Sequence, residues 1–99
     1  MAEVYTSGAW TVKPGENDAF VEHWTAFATW ANEQPGSGTF RLVQDTDDPS
    51  HYMSFANWDS IEAQAAWKAQ PEFRERMGRI RSHCEDFRPS VFEVVAQLG

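Results

Sequence analysis

Hydrophobic and polar positions follow two different periods along the chain, and the change of period marks the predicted elements. Between Val4 and Val12 the side chains alternate in character, which predicts a β-strand. Pro14-Gly15 then gives a turn signal. From Glu16 to about Glu33 apolar residues recur at spacings of four, three and four, which predicts an amphipathic helix. The residues of this stripe are Phe20, Trp24, Phe27 and Ala31.

The middle of the chain predicts a β-hairpin followed by a short helix. Thr39–Gln44 and His51–Trp58 are the two predicted strands, and the polar stretch between them has the composition of a turn. Asp59 and Glu62 are three positions apart, which is the spacing of a capping pair at the start of a helix. Pro71 interrupts this helix after Trp67.

The last part of the chain predicts another helix and a final strand. Pro71 fits the first turn of a helix, where its missing N–H would have no partner in any case. The predicted apolar stripe consists of Phe73, Met77, Ile80 and Cys84. Arg88-Pro89 is expected to break this helix, and Val91–Ala96 is predicted to be the final strand.

The predicted order βαββαβ indicates a single α+β domain over residues 1–99, a ferredoxin-like sandwich with an antiparallel sheet and its helices on one face. Apolar residues occur at both parities of the strands, as Tyr52 and Met53 illustrate. Since helices cover only one face, the other face needs a partner. We therefore expect a homodimer in which two sheets face each other around a cavity.

The charge and the cysteine content exclude several classes of partner. A net charge of -7 argues against nucleic acid and against anionic membrane surfaces, because both demand an excess of Lys and Arg. One cysteine, Cys84, excludes a disulfide within the chain and suits a reducing compartment. We see neither a signal peptide nor an apolar run of membrane-spanning length, so a cytoplasmic location without membrane contact is expected.

The order of elements, the Trp58 that closes the third strand and the run Trp-Asp-Ser-Ile-Glu-Ala that begins there resemble the antibiotic biosynthesis monooxygenase family. The resemblance covers essentially the whole chain and implies a dimeric α/β barrel. That family includes cofactor-free quinol oxygenases, heme-degrading oxygenases and proteins without a known reaction. The resemblance therefore implies the fold more specifically than the reaction.

Quinol-oxidising members of the family place an Asn on the third strand four residues before the Trp, and a Tyr in the helix after it. Here Trp58 matches, Ser54 occupies the Asn position and Gln64 lies near the Tyr position. The resemblance thus implies Trp58, Ser54 and Gln64 as catalytic candidates, with Trp58 as a stacking wall or an N–H donor. An electron-rich substrate in a dry pocket supplies the reducing power, so no cofactor is expected. The alternative is that Trp58 only closes the end of the barrel.

Heme-degrading members place an Asn on the first strand, a Trp in the second helical segment and an axial His beyond it. Trp67 fits the Trp, but Gly8 stands at the Asn position and Met77, or its neighbour Arg76, at the His position. Heme degradation is therefore disfavoured. Trp10, Trp67 and Met77 are expected to line the cavity whichever reaction applies.

The remaining charged residues suggest no further site. His23, His51 and His83 lack the spacing of metal ligands, so no metal is expected. Five of the eight basic residues are arginines between Arg74 and Arg88, which we interpret chiefly as a solvated surface with ion pairs, or as a means of attracting an anionic substrate.

Three hypotheses about function follow, in order of preference. The first is a cofactor-independent monooxygenase that oxidises a small aromatic quinol or a polyketide-type molecule with oxygen. The second is a non-catalytic dimeric barrel that binds a small apolar or aromatic ligand or serves as an accessory protein. The third and weakest is a heme-binding or heme-degrading protein.

Overall fold

The computed structural model describes residues 3–99, which form one sheet and three helices. The elements in chain order are β1 (Val4–Val12), α1 (Asn17–Ala31), β2 (Ser37–Gln44), β3 (His51–Trp58), α2 (Ile61–Lys68), α3 (Pro71–Arg81) and β4 (Cys84–Glu93). None of the described helices is long and apolar enough to cross a membrane.

The four strands form an antiparallel sheet in the order β2-β3-β1-β4. β1 is central and pairs with β3 along nearly its whole length, from Val4 opposite Trp58 to Thr11 opposite His51. This arrangement confirms the predicted ferredoxin-like α+β fold. The strand bounds predicted for β1 and β3 agree with those observed.

The core lies between the sheet and the helices. Along β1, buried and partly buried residues alternate, as expected for a strand with one covered face. The predicted stripe of α1 is buried against this face: Phe20, Trp24, Phe27 and Ala31. Burial of these large apolar groups provides most of the free energy that holds the two layers together.

The start of α2 differs from the prediction by one position. Ser60, and not Asp59, is the N-cap residue, and its hydroxyl accepts a hydrogen bond from the Ala63 N–H at 3.1 Å. A serine and an aspartate both make good N-caps, so the sequence alone did not distinguish between the two neighbouring positions. Pro71 occupies the first turn of α3, as predicted.

The final strand is present, but its predicted bounds and the predicted end of α3 are wrong. The helix ends at Arg81, and β4 already begins at Cys84, which lies opposite Val12 of β1. Pairing with β1 therefore outweighs the helical periodicity that seemed to include Cys84. Pro89 lies within this strand, where it is tolerated because β4 is at the edge of the sheet and has no second neighbour.

The face of the sheet away from the helices carries exposed apolar side chains. Val43 on β2 is 46% exposed, and Phe92 on β4, which lies opposite Tyr5, is 54% exposed. Phe55 on β3 is also exposed and lies opposite Ser7. We refer to Tyr5, Val43, Phe55 and Phe92 below as the outer apolar patch.

Candidate functional site

A cavity of about 260 Å³ lies between the sheet and the helices. It is bounded by the helix-facing side of the sheet, by α1 and by the segment from α2 to α3. We had expected a cavity between the sheets of two chains, and the one observed is on the opposite side of the sheet. Eight of its lining residues are aromatic: Trp10, Trp24, Phe27, Phe40, Phe55, Trp67, Phe73 and Phe87.

Ser54 places a hydroxyl group in the wall of this cavity. It lies opposite Gly8 in the pairing of β1 with β3. The indole N–H of Trp10 donates a hydrogen bond to the Ser54 Oγ at 3.0 Å. The hydroxyl is thus an acceptor toward Trp10, and its own proton can be donated to a ligand in the cavity.

Trp10 is held firmly in the position from which it contacts Ser54. Its ring stacks on Phe87 at a centroid distance of 4.1 Å and meets Phe20 edge to face at 5.4 Å. Trp10 is only 2% exposed. These ring contacts fix the direction of the indole N–H, so the Ser54 hydroxyl is oriented before any ligand arrives.

Gly8 has no side chain, and this leaves room for the hydrogen-bonded pair of Trp10 and Ser54 at the cavity wall. A Cβ atom at position 8 would lie 2.8 Å from Trp10 Nε1 and 3.0 Å from Ser54 Oγ. Any larger residue would therefore displace the hydrogen-bonded pair. The sequence singled out Gly8 only as a departure from the heme-degrading pattern, and its steric role depends on contacts across three strands.

Trp58 does not line the cavity. It is 1% exposed, and its indole N–H donates to the hydroxyl of Thr6 at 3.1 Å. Trp67 stacks on it at a centroid distance of 4.7 Å and does line the cavity. Trp58 therefore packs behind Trp67.

Gln64 is likewise absent from the cavity wall. Its side-chain amide donates to the backbone carbonyl of Ile61 at 3.0 Å, and its Oε1 is buried without a hydrogen-bond partner. The indole Nε1 of Trp67 is also buried without a partner. Of the three catalytic candidates, the structure places only Ser54 at the cavity, and the assignment of Trp58 and Gln64 remains a prediction.

The other sequence-derived candidates, Trp10, Trp67 and Met77, are brought together in the cavity wall. Gly8 joins them there, whereas Arg76 forms an ion pair with Glu72. No histidine of the described residues lines the cavity. The residues present therefore do not fit a histidine-ligated heme.

Two histidines that are far apart in sequence come together away from the cavity. His23 Nδ1 and His83 Nε2 are 2.8 Å apart, and His83 Nδ1 lies 2.8 Å from a carboxylate oxygen of Glu16. Their wide separation in the sequence gave no indication of this contact. Within residues 3–99 there is no group of three or more His, Cys, Asp or Glu arranged to hold a metal ion.

Lys68 and Arg81 are the charged residues of the cavity wall. Arg81 belongs to the arginine-rich segment that we interpreted chiefly as a solvated surface, whereas Lys68 was not predicted as a site residue. Lys68 is half-buried, and this burial lowers the pKa of its amino group. No sequence signal identified Lys68, because its position at the end of α2 resembles that of any solvated lysine.

Solved structures of similar fold match the whole chain. SnoaB, a cofactor-independent oxygenase from Streptomyces nogalater, has a TM-score of 0.90 at 23% sequence identity, over 99% of this chain and 98% of that chain. A candidate antibiotic biosynthesis monooxygenase from Deinococcus radiodurans has a TM-score of 0.87 at 14% identity, over 97% of this chain and 96% of that chain. At these identities the likeness concerns the fold.

No curated protein sequence matches the chain. The family model described as antibiotic biosynthesis monooxygenase matches residues 4–79, which include β1 through most of α3. Of the cavity-wall residues discussed above, only Arg81 and Phe87 lie outside this range. The chain belongs to the antibiotic biosynthesis monooxygenase family.

Proposed function

We propose that this protein is a cofactor-independent monooxygenase that oxidises a small aromatic quinol or polyketide-type molecule in the cavity between the sheet and the helices. The observation that carries the proposal is the Ser54 hydroxyl, oriented by Trp10 in an aromatic cavity. SnoaB, whose structure has the same fold, is a cofactor-independent oxygenase, and this supports the same reaction class for the present protein.

The proposed reaction takes all its electrons from the substrate. An ionised hydroxyl group makes the ring electron-rich, and one electron passes to oxygen. Recombination of the two radicals forms a C–O bond, and the O–O bond then breaks with release of water. The overall change converts a ring C–H of the quinol and O₂ into a hydroxyquinone and water, so four electrons leave the substrate and four reduce oxygen.

The residues of the cavity would contribute by orientation and by excluding water. The Ser54 hydroxyl would donate a hydrogen bond to a substrate oxygen, which favours the ionised form of that oxygen. The aromatic walls keep the site dry, and in such surroundings a hydrogen bond to a developing charge is stronger than in water. Trp58 would support Trp67, on which it stacks.

A homodimer formed through the outer apolar patch belongs to this proposal, as does a cytoplasmic location. The patch has the exposed apolar character of a surface that a second copy covers. Such pairing leaves the helix side of each sheet free. Each chain would then keep its own cavity open to substrate.

Oxygen uptake with a panel of hydroquinones and anthrones tests the proposed reaction. We expect uptake well above the uncatalysed rate, with a product that is heavier by one oxygen atom and has lost two hydrogens. Isotopically labelled oxygen should appear in that product. Uptake no faster than the background across the panel would rule out the oxygenase.

A non-catalytic ligand-binding barrel is the second candidate, and one observation favours it. Among the described residues of the cavity wall there is no His, Asp or Glu to serve as a conventional acid or base. This candidate predicts that aromatic molecules bind in the cavity without turnover. Titration under nitrogen, followed by admission of oxygen, distinguishes the two functions in one sample.

A further inference from the structure

The mouth of the cavity is positively charged although the chain as a whole is acidic. Lys68 and Arg81 are the charged residues of the cavity wall. A second, outer hollow of about 640 Å³ lies against the segment from α2 to α3, and its charged residues are Lys68, Arg74 and Arg81. The described walls of both hollows contain no carboxylate, on a chain with 15 acidic residues and 8 basic ones.

Four residues line both hollows and therefore lie where the two meet: Lys68, Phe73, Met77 and Arg81. Two apolar side chains and two cations thus frame this opening. Arg81 lies over the ring of Phe87 at 5.6 Å, and Phe87 stacks on Trp10. The guanidinium group is consequently linked by ring contacts to the Trp10–Ser54 pair.

The cations of this opening lack the partners that neighbouring cations have. On α3, Arg76 pairs with Glu72 and Arg79 pairs with Glu75. Neither Lys68 nor Arg81 forms an ion pair with any carboxylate of residues 3–99. Arginines of α3 that do not line the hollows are therefore neutralised, whereas the charges at the opening remain available.

A general role at helix ends does not account for this arrangement. Lys68 and Arg81 lie in the last turns of α2 and α3, where a positive charge is favourable. That effect would be satisfied equally by fully solvated side chains. It explains neither the half-buried position of Lys68 nor the absence of carboxylates from both walls.

We infer that the substrate is an aromatic acid, whose carboxylate is bound by Lys68 and Arg81 at the mouth while its ring system lies inside the cavity. This inference rests on the proposed function, because it takes the cavity as the substrate site. A carboxylate suits the position better than an ionised ring hydroxyl, since the reacting ring belongs beside Ser54. Arginine and lysine are the usual partners of a carboxylate.

The test uses two ligands that share a ring system and differ in charge, 2-naphthoate and 2-naphthamide. Neither is a quinol, so binding is measured without turnover, by quenching of the tryptophan fluorescence, to which Trp10, Trp24 and Trp67 of the cavity wall contribute. We expect 2-naphthoate to bind about tenfold more tightly than 2-naphthamide. Lys68→Gln and Arg81→Gln should each remove most of this preference, and urea unfolding checks that both variants fold.

Arg79→Gln is the matched control, because Arg79 is on the same helix, is paired with Glu75 and lines neither hollow. It should keep the preference. Equal affinities for the two ligands, no binding of either, or an equal loss of both in the Lys68 and Arg81 variants would overturn the inference.

Oxygen uptake separates this inference from the proposed reaction. If the protein prefers 2-naphthoate but takes up no oxygen with any quinol, the oxygenase is rejected, and carboxylate binding by Lys68 and Arg81 is retained. Equal turnover of neutral and carboxylated quinols would reject the acid-binding mouth and keep the oxygenase.

Discussion

Trp10 and Ser54 form a hydrogen-bonded pair that joins two adjacent strands at the wall of the cavity. The indole N–H on β1 donates to the hydroxyl on β3 at 3.0 Å. The indole has no other polar group, and the hydroxyl retains a proton to donate. The Ser54 hydroxyl is therefore a hydrogen-bond donor of fixed position in an aromatic environment.

Replacing Ser54 by Ala should lower the rate of quinol oxidation by about a hundredfold, as expected when a preorganised hydrogen-bond donor is removed. Ser82→Ala is the matched control, because Ser82 is exposed at the end of α3 and its hydroxyl donates only to the carbonyl of Arg79. Steady-state oxygen uptake measures both variants. Equal rates for Ser54→Ala and Ser82→Ala would remove Ser54 from the reaction.

Replacing Gly8 by Ala should destabilise the protein by about 1–3 kcal/mol, because the added Cβ would meet the buried Trp10 ring and the partly buried Phe87 ring at less than 3.0 Å. Gly78 on α3 has nothing within 4 Å of an added Cβ. Gly78→Ala should therefore stabilise the protein by about 0.5–1 kcal/mol through its helix propensity. Urea unfolding of the two variants gives the comparison, and changes of the same sign would contradict the packing described for Gly8.

Trp58→Phe and Trp67→Phe should have different effects on ligand binding. Trp58→Phe removes the donor to Thr6 and part of a fully buried ring, so the free energy of unfolding should fall by about 1–3 kcal/mol. The affinity for 2-naphthamide should stay within about twofold. Trp67→Phe alters the cavity wall and should weaken that affinity by about fivefold.

Fluorescence titration and urea unfolding together test this pair of variants. A larger loss of affinity in Trp58→Phe than in Trp67→Phe would restore Trp58 to the binding site, as the family pattern implies.

Cys84 should react slowly with iodoacetamide in the folded protein. Burial, together with the negative charge of Glu16, raises the pKa of its thiol from an ordinary value near 9 to about 11. Only the thiolate reacts, and a higher pKa lowers the thiolate fraction. At about pH 8 the folded chain should be alkylated about a hundredfold more slowly than the chain in urea. Similar rates in the two states, measured by mass spectrometry, would show that this thiol is not shielded.

Phe92→Glu should convert the proposed dimer into a monomer of 11.3 kDa, because a carboxylate in the outer apolar patch cannot be buried without a partner. Ile61 is the matched control, since both residues are 54% exposed and Ile61 lies on α2, on the helix side of the sheet. Ile61→Glu should remain dimeric. Native mass spectrometry reports the masses, and a monomeric wild-type protein would reject the dimer.

Local features of the chain determined most of its fold. The alternation within β1, the stripe of α1 and the turn residues before β3 each act over a few residues, and they placed these elements correctly. The boundary between α3 and β4 was not predictable in this way. Cys84 continues the helical spacing, but pairing with Val12, distant in sequence, places it in a strand.

The sequence by itself also determined which residue types would surround a site: tryptophans, a serine on the third strand and a methionine on the last helix. Only the tertiary structure decided which of them meet. Trp58 matched the family pattern, yet Thr6 takes its N–H and Trp67 stands between it and the cavity. The pairing of β1 with β3 places Trp10 beside Ser54. The last turns of α2 and α3 place Lys68 and Arg81 at the cavity. Such relationships arise from packing between residues far apart in the chain, and local sequence patterns carry little information about them.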